Sequence, residues 1–71
     1  MSKRDLQKFG QKLKVLRLSR KLTQLELAEL LDMSPNFIGM IERGERNTTV
    51  ENVFNIARAL GVNPSCLFEE L

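Results

Sequence analysis

Residues 23–44, TQLELAELLDMSPNFIGMIERG, carry two helix-start signals and two helix-stop signals in one short stretch. Few folds can accept that pattern. Thr23 followed three residues later by Glu26 makes a capping box, in which each side chain satisfies a backbone N–H of the other residue. Leu27, Ala28, Leu30 and Leu31 then form an apolar face at helical spacing. Asp32-Met33 interrupts it. Ser34 offers a capping oxygen, and Pro35 suits the first helical position, where its missing N–H costs nothing. Ile38 and Ile41 hold the apolar face of the second helix, and Gly44 can end it in a left-handed conformation. With about three residues between them, the two helices cannot lie antiparallel and must cross steeply, as a helix-turn-helix over residues 23–43. In that motif the second helix enters the major groove of DNA, so double-stranded DNA is the first partner to consider.

The rest of the chain narrows the choice. Its 71 residues suffice for one small domain. No apolar run approaches the roughly 18 residues of a membrane span, and the start, MSKRDLQKFG, has charges but no apolar core of a secretory signal. Cys66 is the single cysteine, which excludes an internal disulfide framework and fits a reducing cytoplasm. The net charge of +2 is unevenly spread. Residues 1–21 carry eight lysines and arginines against Asp5 alone, whereas residues 22–71 carry three arginines against eight carboxylates. Such a basic first third is either a solvated helix face or a surface near phosphates, and the size of the asymmetry favours the second. One helix cannot aim Lys8, Lys12 and Lys14 in a single direction.

Helical signals continue on both sides of the pair, and the spacing predicts five helices and no strands. The first runs from about Asp5 to Ser19, with Leu6, Phe9, Leu13 and Leu16 as its buried stripe. The fourth runs from about Val50 to Leu60, with Val53, Phe54, Ile56, Ala57 and Leu60 on its apolar face and Gly61 as its stop. Thr48-x-x-Glu51 offers a capping box there, with Thr49 as the alternative N-cap. Asn63-Pro64 opens a short fifth helix carrying Leu67, Phe68 and Leu71. The expected architecture is one all-α, compact, five-helix domain spanning residues 1–71, with no repeat or long linker.

These residues resemble the Xre family, the helix-turn-helix domains similar to phage lambda-type repressors and Cro proteins. The likeness covers about Phe9 to Leu67 and rests on LTQLELAELL, MSPNFIGMIERGERN and IARALGVNP. The spacing of Thr23-Gln24, Ala28, Ser34, Ile38 and Glu42-Arg43-Gly44 is the family's. The short chain and the IERGERN segment also look like controller proteins of restriction–modification systems. The resemblance implies that Gln24, opening the second helix, touches a phosphate. It puts Ser34 at the start of the recognition helix and Pro35, Asn36, Phe37 and Met40 at that helix's exposed positions. Arg43, Arg46 and Asn47 follow, where family members grip backbone or flanking bases. It also pairs Arg17 with Glu42, locking the first helix to the third, with Arg17 able to reach a phosphate as well. Asp32 replaces the glycine common in the family's turn, and Asp tolerates the left-handed region better than most residues.

The recognition helix is unusually apolar. Between Pro35 and Ile41 only Asn36 can hydrogen-bond a base edge, and bidentate Asn on adenine is a known pairing. Guanine reading must then come from a flanking residue such as Arg46. Phe37 is either core or DNA-facing. Gly39 either merely weakens the helix or allows close backbone approach to DNA, and Met40 either fills a gap or touches a thymine methyl. Phe54, Phe68 and Leu71 are expected at a homodimer interface, since one such domain reads only one half-site of a palindrome.

The expected function is a sequence-specific transcriptional regulator, repressing by default. A protein–protein module such as an antitoxin, with its acidic second half as contact surface, is the rival. Enzymatic activity is not expected. The chain has no histidine, no metal-ligand cluster and no phosphate loop, and its one cysteine lacks an imidazole base. Neither a cofactor, a metal nor a small-molecule ligand is anticipated.

Overall fold

The computed structural model describes residues 2–69, and all of the regular elements among them are helices. Four α-helices follow one another: α1 (Lys3–Ser19), α2 (Gln24–Leu31), α3 (Pro35–Glu42) and α4 (Val50–Leu60). The expected fifth α-helix is instead a short 3-10 helix, Pro64–Phe68. The reason is its length. Five residues allow little α-helical pairing, whereas an i to i−3 bond such as Cys66 N–H to Asn63 C=O, 2.9 Å, closes at once. Among the described residues no helix is long and apolar enough to cross a membrane.

Each α-helix begins on a side-chain cap. Ser2, Thr23, Ser34 and Thr49 accept hydrogen bonds from the N–H groups of Asp5, Glu26, Phe37 and Asn52. Ser2 starts α1 two residues earlier than the expected Asp5. Of the two threonines before α4, Thr49 is the cap. Each helix also ends in a left-handed residue: Lys21, Asp32, Gly44 and Gly61. After α2, Met33 N–H reaches Ala28 C=O, 2.9 Å, and the left-handed Asp32 (φ 56°, ψ 45°) turns the chain toward Ser34. The turn between α2 and α3 is therefore closed at both sides by backbone bonds.

α3 packs against both α1 and α2, α2 also packs against α4, and the terminal 3-10 turn bridges α1 and α4. The core is shared by all five elements: Phe9 and Leu13, Leu27 and Ala28, Ile38 and Ile41, Ile56, Ala57 and Leu60, and Leu67. Burying each large aliphatic side chain contributes about 1.5–3 kcal/mol. Leu67, fully buried, explains why so short a terminal turn stays docked. Leu30 and Phe54, expected on buried faces, are instead exposed (62% and 47%), whereas Leu27 and Ala28 of α2 and Ile56 and Ala57 of α4 are buried. Gly10 is where α1 and α3 touch: a Cβ there would sit 2.2 Å from the Ile41 carbonyl oxygen.

Candidate nucleic-acid interface

α3 divides cleanly into an inner and an outer side. Ile38 and Ile41 are buried, whereas Ser34, Pro35 and Asn36 are exposed at its N-terminus. Ser34 is occupied as a cap through its Oγ, which accepts from Phe37 N–H at 3.1 Å. Asn36 therefore stands in the first turn with an open side. Phe37 and Met40 are half-buried, and Phe37 packs on the core. Past the helix, Arg43, Arg46 and Asn47 are exposed.

One buried network fixes this helix to the rest of the molecule. Arg17 Nε donates to Glu42 Oε2 at 2.6 Å, and Arg17 Nη2 to Glu42 Oε1 at 3.1 Å. Arg17 Nη1 donates to the Leu22 carbonyl oxygen at 2.7 Å. The ion pair that the family resemblance implied is thus present, and both residues are buried. Every nitrogen of the Arg17 guanidinium donates within the protein, so this side chain holds the interface in place from beneath. Gln24 joins the same carboxylate, its Nε2 donating to Glu42 Oε1 at 3.0 Å. α1, α2 and the end of α3 therefore meet on one carboxylate.

Gln24 and Arg43 converge over Gly39. A Cβ built on that buried glycine would lie 3.1 Å from Arg43 Nη1 and 3.5 Å from Gln24 Oε1. The glycine thus makes room for two polar side-chain heads, and those heads stand between its backbone and anything outside. Arg43 is held by Glu45 (Nε to Oε2, 3.0 Å), with both side chains about half exposed. The Glu45 hydrogen bond and charge raise the Arg43 pKa above its ordinary value. Arg46 is held differently. Its guanidinium carbon lies 5.7 Å from the centroid of the Phe37 ring. Asn47 turns its Oδ1 back to accept from Thr48 N–H at 2.8 Å.

A family model described as helix-turn-helix matches residues 13–65. The chain belongs to the helix-turn-helix family. It is similar to control protein C.BamHI of Bacillus amyloliquefaciens, 42% identical over 62 residues, covering 86% of this chain and 76% of that protein. Control protein C.MunI of Mycoplasma sp is 35% identical over 65 residues, covering 90% of this chain and 88% of the other. Among solved structures, the restriction-modification controller protein C.AhdI from Aeromonas hydrophila superposes with a TM-score of 0.87 at 42% identity, over 90% of this chain and 97% of that one.

Within this helix-turn-helix chain, the residues expected at a dimer interface lie on other elements. Phe54 projects from α4, and Phe68 ends the terminal turn, 59% exposed although its ring centroid is 5.3 Å from that of Phe9. Leu71 lies outside the described residues. Two contributors to the site escaped sequence reading. Gly10 admits α3 to the backbone of α1 but looks like any mid-helix glycine. Lys21 takes a left-handed conformation (φ 59°) with no local signal, and Leu22, which follows it, accepts from Arg17.

Proposed function

We propose that this helix-turn-helix protein, a DNA-binding transcriptional regulator, binds a palindromic operator as a homodimer and serves as a restriction–modification controller. Residues 1–71 act as one DNA-binding domain. α3 lies in the major groove, where Asn36 pairs with a base edge. Gln24 and Arg43, close together over Gly39, and Arg46 and Asn47 beyond them grip phosphates and flanking bases. Phe54, Phe68 and Leu71 join the two protomers. Binding over a promoter represses by excluding polymerase.

The observation that carries this reading is the outer side of α3, with Asn36 exposed at its N-terminus and Arg43 and Arg46 exposed just past its C-terminus, where the Arg17–Glu42–Gln24 network fastens the helix. The likeness to control proteins C.BamHI, C.MunI and C.AhdI supports the controller role. The test is selection from a random duplex library at near-physiological salt, followed by sequencing. A palindrome with half-sites about one helical turn apart is expected. Weak, salt-sensitive binding without enrichment would overturn the reading in favour of a partner-binding module.

A further inference from the structure

We propose that Phe37 is a positioning residue for Arg46: its ring holds the guanidinium against α3 and so makes Arg46 the guanine reader of the half-site. This rests on the DNA-binding reading above. Three arginines reach the vicinity of α3, and the structure puts them in three different states. Arg17 donates from every nitrogen inside the protein. Arg43 is paired with Glu45. Arg46 alone lies over an aromatic ring, its guanidinium carbon 5.7 Å from the Phe37 centroid, within the roughly 6 Å range of a cation–π contact.

A cation–π contact has a specific chemical consequence. It holds the guanidinium charge without using a hydrogen-bond acceptor, so the N–H fork keeps its capacity to pair with O6 and N7 of guanine. Among the described residues Arg46 makes no hydrogen bond or ion pair that would compete for it. A free arginine loses considerable rotamer freedom on binding, and one already held against a ring loses less. Phe37 is suited to the platform role because it is half-buried and packed on the core, so the ring itself is anchored. The apolar recognition helix makes the arrangement necessary: residues 35–42 contain no Arg or Lys, and Arg46 supplies the fork from outside the helix.

The test compares Phe37→Leu, Phe37→Tyr, Arg46→Ala and the double variant Phe37→Leu/Arg46→Ala. Each is titrated with the selected operator and with duplexes in which each guanine is replaced in turn. Circular dichroism melting confirms that each variant is folded. Phe37→Tyr keeps the ring and should bind like the parent protein. Phe37→Leu should weaken operator binding about two- to fivefold. It should relax preference at the same guanine as Arg46→Ala, and it should add nothing in the Arg46→Ala background. An equal loss from Phe37→Leu in both backgrounds, or relaxation at a different base pair, would overturn the inference, since Phe37 would then act on its own. In the DNA-free protein, ring current should shift the Arg46 Hδ resonances upfield in the parent and in Phe37→Tyr but not in Phe37→Leu. Unshifted parent resonances would also overturn it. A parent protein that cannot tell the operator from scrambled duplex defeats the DNA-binding reading itself. A selective parent with indifferent Phe37 variants defeats only the platform.

Discussion

Arg17 and Glu42, 25 positions apart, meet in a bidentate contact of 2.6 and 3.1 Å with both side chains buried. This pair joins the first helix to the end of the recognition helix. Removing one member leaves the other charged and without its partner in a place water barely reaches. Glu42→Ala should therefore cost about 3–5 kcal/mol in urea unfolding followed by circular dichroism. That is a large share of the stability of any small domain. A loss below about 1 kcal/mol would mean that the pair behaves as a screened surface contact.

Gly10 reverses an ordinary expectation. Replacing glycine by alanine within a helix normally stabilises it by about 0.5–1 kcal/mol. Here the new methyl would lie 2.2 and 2.6 Å from the Ile41 and Glu42 carbonyl oxygens, both backbone atoms that cannot turn aside. Gly10→Ala should destabilise by about 1–3 kcal/mol, as overpacking does. A raised unfolding midpoint would show that α1 and α3 can separate without penalty.

Asn36 has the open position in the first turn of α3. Asn36→Ala should reduce cognate binding by about 1–3 kcal/mol and relax the selected motif at one base pair. An unchanged motif from repeated library selection would remove Asn36 from the readout.

Glu45 holds Arg43 by a 3.0 Å ion pair at the edge of the proposed interface. Glu45→Gln removes the carboxylate that Arg43 must leave before it grips a phosphate. Operator binding should tighten about two- to fivefold at constant salt, with the slope of log K against log salt unchanged because the number of phosphates contacted stays the same. Unchanged or weaker binding would take Arg43 off the phosphates.

Phe54 and Phe68 differ as probes of the dimer. Phe68 lies against Phe9, so a charge there disturbs the monomer as well, whereas Phe54 is 47% exposed. Phe54→Glu should leave the fold intact and shift sedimentation toward monomer. A dimer that survives the substitution would put the interface elsewhere.

The sequence by itself determined the starts of α2 and α3 and the stops after α2, α3 and α4. The Thr23–Glu26 capping box, Ser34 before Pro35, and the left-handed Asp32, Gly44 and Gly61 were all legible and are all present. Such signals act through atoms no more than a few residues apart, so a single chain displays them without its fold. The Arg17–Glu42 pair was reached through family resemblance, because nothing local links residues 25 positions apart. Tertiary structure alone decided which apolar residues turn inward, so Leu30 ended exposed while Leu67 is fully buried. It alone made Gly10 a contact point, drew Gln24 onto Glu42, and laid Arg46 across Phe37. Periodicity identifies the apolar side of a helix, but the direction from which the neighbouring helices arrive decides how much of that side is covered.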